Sequence, residues 1–567
     1  MNIKSIGHAM CVSKLGVVSK NVSVPMIQST PADSISFAGL KKVPVVKNAE
    51  TIYKAADSLS TSTSGHRAIY GSELFDEELM RVFSAGIAQY AQEHAAQNGR
   101  RDAVVMLGGD TRQATRESMP IIEDVLKRSG VNVYTIKEPV ATPIVAAMAE
   151  NLEDEVDLTI LMTASHNPWE YGGFNLVTSD GAIAPADVTQ KVAKKIKGVA
   201  DKGFYFLADD ANTKQVRNIF PFEHYNSLID NSNLIDFENI KNSGIKIYYD
   251  ALTGTGDYSV PRLMQMHDVP FTEISAEGRN LEGPDPSASN LALLSKKVVE
   301  DPATLKIGLA NDGDADRFGV IDSDGRFLTP NEVIFLTAYH LHHNKGKEGS
   351  ILRSQVTTSM LDDYAKAHDI PLVVAPVGFK FLAEDIIADR KEGKDIIVAG
   401  EESGGLTVSG HIPEKDGIIA IMLMADLMAQ EKKPLGKILD DVKADLDLHF
   451  DSFTLATKFD SDEAKDAVMA KMEKVYQDAV TGKNDEFIPG FHIDAKKSKE
   501  HRDKMIEYKG NSDGVKLYFT NGSQITVRKS GTEPKIRVYV DSKGNTDAEA
   551  KENCSALKEQ ISSILSV

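Results

Sequence analysis

Three aspartates in one short segment restrict the fold of this chain more than any other feature. Asp312, Asp314 and Asp316 alternate with small residues, and apolar, strand-like runs precede and follow them at residues 305–310 and 318–321. Because side chains of an extended segment alternate between two faces, a period of two places all three carboxylates on one side. Like charges this close repel each other unless a hard cation such as Mg²⁺ neutralises them. The segment therefore predicts a divalent-cation site in a turn between two buried strands.

Two other interpretations of the aspartates fit less well. A solvated acidic loop does not agree with the apolar runs on both sides. A calcium-binding EF-hand loop needs glycine at its sixth position and glutamate at its twelfth. Counted from Asp312, this chain has Arg317 and Ser323 there, so the EF-hand interpretation is rejected.

A serine earlier in the chain is the candidate reactive group. Ser165 lies in the segment Thr-Ala-Ser-His-Asn-Pro, residues 163–168. Taken alone, the Asn-Pro pair predicts only a turn. Taken with a three-carboxylate cation site, Ser165 is a candidate carrier of a phosphoryl group, and the pair indicates phosphoryl transfer.

Two later segments carry donors and acceptors suited to a phosphorylated sugar. Glu401 and Ser403 can bind vicinal sugar hydroxyls, although an acidic and capping pair at a helix N-terminus is the alternative. A compact donor-rich loop further on suits a phosphate through its guanidinium, hydroxyl and backbone N–H groups. The residues of that loop are Arg528, Ser530, Gly531 and Thr532.

These segments, in this order, resemble those of the α-D-phosphohexomutases, the phosphoglucomutase and phosphomannomutase group, over about residues 50–567. The resemblance implies that Ser165 carries the phosphoryl group, that a bisphosphorylated sugar is the intermediate, and that glucose 1,6-bisphosphate primes the enzyme. It further implies that Ser165 and the three aspartates bind Mg²⁺. His166 would belong to the catalytic serine loop, and Arg317 would contact the reacting phosphoryl group or order the metal loop.

Three more positions follow from the resemblance. Arg67, within residues 63–71, occupies the place expected to stabilise the transferring phosphate. Lys380 in Gly-Phe-Lys would contact the phosphosugar. Lys415 lies in residues 411–417, which look like the corresponding segment of α-phosphoglucomutases, and we therefore expect glucose phosphate as the substrate. Mannose, dual-specificity, pentose and amino-sugar phosphates remain open, because one hydroxyl geometry is worth only about 1–3 kcal/mol.

The chain departs from the family pattern at two places. Ala68 replaces a glycine, and Asn175 stands where the family usually has a lysine after the serine loop. Asparagine carries no charge and cannot serve as a comparable acid or base, so we expect a nearby cation to compensate. Asn175 also keeps open a catalytically silent sugar-phosphate sensor, and a phosphatase using the same phosphoserine is the other alternative.

Strand-like and helix-like segments alternate through most of the chain, as in βαβ units. We predict three similar α/β domains and a smaller α+β C-terminal domain around a central cleft. The turn Asn521-Gly522 between two strand-like runs predicts a β-hairpin in the C-terminal domain. The predicted ranges are 1–48 for a poorly ordered extension, then 49–240, 241–345, 346–450 and 451–567 for the four domains.

Composition excludes several classes of protein. A formal net charge of −19 argues against nonspecific nucleic-acid binding. Two cysteines at opposite ends support neither a disulfide framework nor a zinc site, and no apolar run is long enough for a membrane span. We therefore expect a cytoplasmic enzyme with a small hexose phosphate as its partner. The sequence leaves the oligomeric state open.

Overall fold

The computed structural model describes residues 40–62, 65–209, 213–274, 282–529 and 535–566. Residues 1–39 of the predicted extension lie outside these ranges, as do Ser530, Gly531 and Thr532 of the predicted phosphate loop. In the part of the chain that is described, no helix is both long and apolar enough to cross a membrane.

The first structural unit contains a six-stranded mixed sheet. Its strands, and a separate two-stranded sheet, are β1 (Leu40–Pro44), β2 (His66–Ile69), β3 (Val104–Gly109), β4 (Asn132–Thr135), β5 (Leu158–Met162), β6 (Tyr171–Val177), β7 (Phe204–Ala208) and β8 (Val216–Asn218). The helices are α1 (Ala49–Thr61), α2 (Glu77–Gln97), α3 (Gln113–Arg128), α4 (Thr142–Asn151) and α5 (Ala186–Lys202). The sheet order is β2-β6-β5-β3-β4-β8, with β2 and β6 antiparallel to their neighbours.

Part of the predicted N-terminal extension belongs to this unit, and the prediction is wrong over residues 40–48. Strand β1 pairs antiparallel with β7 over its whole length. Lys47 extends the attachment through an ion pair of 2.6 Å with Asp76, which caps α2. Pairing between two distant segments leaves no local pattern in the sequence, so the sequence did not predict strand β1.

The second unit has the sheet order β10-β9-β11-β12-β13. These strands are β9 (Lys246–Asp250), β10 (Thr272–Glu273), β11 (Lys306–Asn311), β12 (Phe318–Ile321) and β13 (Phe327–Leu328). The helices are α6 (Phe222–Ser232), α7 (Phe237–Asn242), α8 (Val260–Met266) and α9 (Ala292–Glu300), with a 3₁₀ turn at Thr255–Tyr258. Strands β9, β10 and β11 are parallel, and β12 turns back antiparallel to β11.

The third unit has the sheet order β15-β14-β16-β17, and β17 is antiparallel to β16. Its helices are α10 (Pro330–Tyr339), α11 (Met360–Ala367), α12 (Phe379–Lys391), α13 (Gly417–Glu431) and α14 (Leu435–Asp445), with a π-helical turn at His340–Asn344. The strands are β14 (Ser350–Ser354), β15 (Leu372–Ala375), β16 (Ile396–Glu401) and β17 (Gly405–Val408). Helix α10 packs against β16 and α13, so it contributes to this unit although its residues fall in the range predicted for the second domain.

The fourth unit is smaller and built around an antiparallel sheet, in the order β18-β23-β22-β21. Its strands are β18 (His449–Lys458), β19 (Glu486–Ile488), β20 (Phe491–His492), β21 (Val515–Tyr518), β22 (Gln524–Lys529) and β23 (Lys535–Gly544). The helices are α15 (Asp462–Val480), α16 (Ala495–Lys509) and α17 (Asp547–Leu565). The predicted hairpin at Asn521-Gly522 is confirmed by the pairing of β21 with β22, as is the predicted fold class of three α/β units and one α+β unit.

The first three units share one local design that positions the functional segments. In each, a fully buried parallel strand is followed by a short loop and an antiparallel strand: β5 to β6, β11 to β12 and β16 to β17. Parallel strands buried on both faces are mostly apolar, so polar side chains gather at and beyond their carboxyl ends. Those loops contain Ser165, the three aspartates and Glu402 with Ser403, respectively.

Candidate active site

The loop after β5 holds Ser165 in an unusual backbone conformation. Its φ is +52°, in the left-handed region that costs a non-glycine residue about 1–2 kcal/mol. The serine is buried, and its backbone N–H donates to Thr163 Oγ1 at 2.9 Å. Its hydroxyl donates to Asp312 Oδ2 at 2.8 Å and lies 3.2 Å from His166 Nδ1. The strained turn therefore points the serine oxygen at the aspartate loop of the second unit.

The three aspartates form a compact, buried carboxylate cluster. Each offers one oxygen, and these oxygens lie within 4.8 Å of one another. Thr142 Oγ1 donates to Asp314 Oδ2 at 2.8 Å. Asp314 Oδ1 and Asp316 Oδ1 are buried with no hydrogen-bond partner among the described residues. Free carboxylate oxygens converging on one point fit a small hard cation such as Mg²⁺, so the predicted turn and its carboxylate cluster are both present.

The pKa values of the cluster reflect crowded negative charge. Burial, and then Asp314 and Asp316, raise the pKa of Asp312 well above its ordinary value. Burial and Asp316 also raise the pKa of Asp314. Burial acts in the same direction on Asp316, but Lys415 and Arg317 outweigh it and lower that pKa. A divalent cation would relieve the repulsion that remains on the first two carboxyls.

Positive side chains surround the serine and the aspartates. Lys415 Nζ forms an ion pair with Asp316, and Arg317 Nε lies 3.9 Å from Asp316 Oδ1. Arg67 donates to Asn167 Oδ1 of the serine loop at 2.8 Å. Arg317 first, then burial and Arg67, lower the pKa of His166 well below its ordinary value. The lowered pKa favours the neutral imidazole, whose Nδ1 lies 3.2 Å from the serine oxygen.

Asn175 does not face this charge as a lysine would. It is 4% exposed and donates from Nδ2 to the carbonyl of Thr163 at 3.0 Å. The expectation that a nearby cation compensates for the missing lysine stays a prediction. Arg67 and Lys415 lie close enough to this loop to lower the pKa of His166.

Glu401 is the last residue of β16, and Ser403 lies in the turn between β16 and β17. The interpretation of these two residues as a local helix-capping pair is therefore wrong. The Glu401 carboxylate instead accepts a hydrogen bond of 2.8 Å from the backbone of Gly378, which caps α12. Burial, and then Glu402, raise the pKa of Glu401 to about 7. Lys380 lies in the first turn of α12, half-buried, and Ser403 is exposed. The structure therefore brings the predicted sugar-binding glutamate to the start of the helix that carries Lys380.

Arg528 lies at the end of β22 in the fourth unit. Its Nη2 donates to Asp513 Oδ1 at 3.4 Å, and its Nε is buried with no hydrogen-bond partner in the described part of the chain. Asp513 Oδ2 accepts from Gln355 at 2.9 Å and from the backbone of Val377 at 3.1 Å. Val377 directly precedes Gly378, so Asp513 connects Arg528 to the segment that carries Lys380.

Two functional contacts were not predicted. Glu414 Oε2 accepts from the backbone of Ile183 at 3.0 Å, which holds the segment of Lys415 against the first unit. Arg112, just after β3, donates to the backbone of the serine loop. Its only sequence signal was the Gly-Gly-Asp-Thr-Arg run at the carboxyl end of a buried strand, where polar residues of an α/β sheet gather.

Four models of one protein family match separate parts of the chain, in order. They are described as "Phosphoglucomutase/phosphomannomutase, alpha/beta/alpha domain I" (residues 58–202), "domain II" (223–325), "domain III" (329–445) and "C-terminal domain" (460–559). Together they account for most of the chain and for each of its four structural units.

Individual proteins are similar over most of their length. A "Probable phosphoglucosamine mutase" of Methanobrevibacter smithii is 29% identical, across 88% of this chain and 98% of the relative. The chloroplastic phosphoglucomutase of Solanum tuberosum is 26% identical, across 97% of this chain and 89% of the relative. "Phosphoglucomutase-1" of Homo sapiens is 27% identical, across 78% of this chain and 84% of the relative.

Solved structures share the fold. The open form of the exocytosis-sensitive phosphoprotein pp63/parafusin from Paramecium superimposes with a TM-score of 0.74 at 19% identity, across 93% of this chain and 96% of that one. A phosphoglucomutase/phosphomannomutase family protein from Burkholderia thailandensis gives 0.66 at 20% identity, across 89% and 97%.

Proposed function

Since the chain belongs to the phosphoglucomutase/phosphomannomutase family of intramolecular phosphotransferases, we propose that it interconverts glucose 1-phosphate and glucose 6-phosphate. A phosphorylated Ser165 would be the carrier and glucose 1,6-bisphosphate the intermediate. One observation carries the proposal: the buried Ser165 hydroxyl lies 2.8 Å from Asp312, a member of a carboxylate cluster suited to a cation.

The phosphoryl group moves in two balanced steps. In the first, the 6-hydroxyl oxygen of glucose 1-phosphate bonds to the phosphorus of phospho-Ser165, the serine O–P bond breaks, and the hydroxyl proton is passed to the serine oxygen. After the bisphosphate turns over, the serine oxygen bonds to the phosphorus at C1, the bond between that phosphorus and the C1 oxygen breaks, and the serine proton is passed to the C1 oxygen. Glucose 6-phosphate is released and phospho-Ser165 is restored. His166 Nδ1, 3.2 Å from the serine oxygen, is placed to pass this proton to and from that oxygen.

The surrounding cations stabilise the charge on the moving group. The Arg67 guanidinium contacts the serine loop and the Arg317 guanidinium lies beside Asp316, where the transferred phosphoryl group would lie. Ser165 and the three aspartates would hold Mg²⁺, and the unpartnered oxygens of Asp314 and Asp316 support that assignment. When bound, the cation neutralises phosphate charge during transfer.

The remaining residues would hold the part of the sugar phosphate that does not react. Glu401 would accept hydrogen bonds from vicinal hydroxyls, and Lys380 lies two residues after Gly378, whose N–H contact fixes Glu401. Arg528, with Ser530, Gly531 and Thr532, would bind the phosphate that is not transferred.

The identity of the sugar is the finer part of the proposal. Glucose is supported by the resemblance of residues 411–417 to the corresponding segment of α-phosphoglucomutases; Lys415 of this segment pairs with Asp316 at the aspartate cluster. Glucosamine phosphate is a second candidate, because a relative carrying that name is similar across 88% of this chain. Glucosamine phosphate has an ammonium group in place of the 2-hydroxyl, and this group would bind well beside an ionised carboxylate. The pKa of Glu401, however, is about 7, so that this carboxyl is only partly ionised at neutral pH.

A direct assay tests the proposal. Purified protein with Mg²⁺ and a trace of glucose 1,6-bisphosphate is given glucose 1-phosphate, mannose 1-phosphate or glucosamine 1-phosphate, and formation of each 6-phosphate is followed. We expect the largest kcat/KM with glucose 1-phosphate. A larger value with glucosamine or mannose phosphate would reassign the substrate, phosphate release without isomerisation would indicate a phosphatase, and inactivity with all three would contradict a mutase.

A further inference from the structure

The catalytic serine loop is organised around a buried arginine that does not touch the reacting atoms. We propose that Arg112 is the positioning residue of the loop: its guanidinium sets the backbone of residues 165–171 and thereby the direction of the Ser165 hydroxyl. The inference rests on the proposed role of Ser165 as phosphoryl carrier. Arg112 is 2% exposed and follows β3, outside the loop that it holds.

Every donor of this guanidinium is used. Nη2 donates to the carbonyls of Ser165 and Asn167, each at 2.6 Å. Nη1 donates to the carbonyls of Pro168 at 2.6 Å and Tyr171 at 3.3 Å. Nε donates to Asp110 Oδ2 at 3.1 Å. An arginine has five N–H donors in a rigid plane, and here four of them converge on backbone carbonyls of one loop.

Arg112 is itself held firmly from the other side. Asp110 Oδ1 accepts from the backbone N–H of Arg112 at 3.1 Å and from Thr115 Oγ1 at 2.6 Å. The backbone of Asp110 donates to the carbonyl of Met162 at 2.9 Å, at the end of β5. The arginine is therefore fixed to the carboxyl ends of β3 and β5, and the serine loop departs from β5, so Arg112 forms a rigid reference for that loop.

The hydrogen bonds from Arg112 to the serine loop explain how the strained Ser165 keeps one orientation. The φ of Ser165, +52°, is unfavourable for a residue with a side chain and persists only where contacts over-determine it. Arg112 fixes the carbonyl of Ser165, hence the peptide plane between Ser165 and His166. Both partners of the serine oxygen, Asp312 and His166, depend on that plane for their distances.

Lysine cannot reproduce this arrangement. Its ammonium has three donors around one nitrogen, whereas the four carbonyls and Asp110 require a planar fork. Arg112→Lys therefore keeps the charge and leaves buried carbonyls without donors. Because misplacement of a reacting group by about 1 Å costs about a hundredfold in rate, we expect the loss in kcat and little change in KM.

Arg100 offers a matched control within the same unit. It forms an ion pair with the buried Asp157 and donates to the carbonyl of Glu155 at 2.5 Å, away from the serine loop. Arg100→Lys disturbs an arginine that is paired with a buried carboxylate and is itself 24% exposed, without touching residues 165–171. Trp169, the only tryptophan of the chain, lies 5.1 Å from the Arg112 guanidinium and reports on the loop.

The experiment compares Arg112→Lys, Arg100→Lys and wild type by steady-state kinetics well below their Tm and by the near-UV circular dichroism of Trp169. We expect kcat of Arg112→Lys to fall about a hundredfold with KM within threefold, and its Trp169 signal to change. Arg100→Lys should keep kcat within about twofold and keep the signal, even if its Tm falls. A folded Arg112→Lys with kcat within threefold of wild type overturns the proposal, as does an equal loss of kcat in Arg100→Lys.

A second variant covers the case in which Arg112→Lys does not fold. Asp110→Asn retains the guanidinium but loses the carboxylate that orients it, and we expect roughly tenfold lower kcat at unchanged KM. Unchanged kcat in Asp110→Asn then overturns the proposal. If the wild type isomerises no hexose phosphate, the proposed function fails. The Trp169 signal still tests the role of Arg112 in that case. The signal should be lost when Arg112 or Asp110 is changed and kept when Arg100 is changed.

Discussion

Replacing Arg528 with alanine should raise KM for glucose 1-phosphate and for glucose 6-phosphate alike. In the proposed cycle this side chain binds whichever phosphate is not being transferred, so it meets the substrate phosphate before the first step and the other phosphate after the bisphosphate has turned over. Loss of the guanidinium therefore weakens both half-reactions.

The expected magnitude follows from the surroundings of Arg528. Its side chain is only 16% exposed, its Nε has no hydrogen-bond partner among the described residues, and its contact with Asp513 is long, at 3.4 Å. Donors of this kind are available to a phosphate in a partly desolvated site. A hydrogen bond to a charged group is worth about 1.5–3 kcal/mol, which corresponds to a KM increase of roughly tenfold to a hundredfold.

Asp513→Asn provides the control, because Arg528 also has a structural contact. The aspartate bridges Arg528 to Gln355 and to the backbone of Val377, so its loss should lower Tm about as much as Arg528→Ala does. The guanidinium is retained, and one anion that competes for it is weakened. We therefore expect KM for both sugar phosphates to stay the same or to fall in Asp513→Asn.

The assay measures KM in both directions, together with Tm, for wild type and the two variants. A stable Arg528→Ala protein with unchanged KM in both directions refutes the phosphate-anchor role. A rise in only one direction refutes the shared use of this residue in both half-reactions. An equal rise of KM in Asp513→Asn would show that the effect belongs to the contact between the third and fourth units.

The other predictions concern the serine, the cation site and Glu401. Ser165→Ala should fold, by circular dichroism, and lose essentially all mutase activity; retention of more than about a tenth of the rate contradicts the carrier role. Asp314→Asn should weaken Mg²⁺ affinity on the order of tenfold or more in a titration, and chelation should silence the wild type, whereas full activity after exhaustive metal removal contradicts the site. Burial raises the pKa of Glu401 from 4.5 to about 7, so the folded protein binds the proton of this carboxyl more tightly than the unfolded chain does. The contribution of this proton to the free energy of unfolding is therefore fully present below pH 4.5 and is lost as the pH rises through 7. Urea unfolding across this range should show a decline in wild type, up to about 3 kcal/mol, that Glu401→Gln lacks; equal slopes in the two proteins contradict it.

Much of the fold and part of the site could be predicted from local patterns. The alternation of apolar strands with helices predicted three α/β units, and Asn521-Gly522 predicted the hairpin of the fourth, because side-chain periodicity and turn sterics act between neighbours in the chain. The period-two aspartates likewise predicted a carboxylate turn between buried strands, which β11 and β12 provide. The family resemblance then ordered these segments but supplied no distances.

Other features had no local signal. Residues 40–44 pair with a strand more than 150 residues later in the chain, and register between distant strands depends on packing rather than on either segment alone. Glu401 was open to interpretation as a helix cap, and only the folded sheet shows that it closes β16 and binds the backbone of Gly378 from a distance. In the sequence Arg112 is an ordinary residue after a strand, and only the fold places its guanidinium among four backbone carbonyls.

The amino-acid sequence by itself determined which residues can do chemistry here, because the hydroxyl, carboxylate and guanidinium groups and their local turns are properties of short segments. Only the tertiary structure decided which of them meet. Ser165 and Asp312 are 147 residues apart in the chain, and their 2.8 Å contact exists because two separately folded sheets present equivalent loops to each other. Such contacts depend on how buried surfaces of different units pack, and that is a property of the whole chain that no local pattern contains.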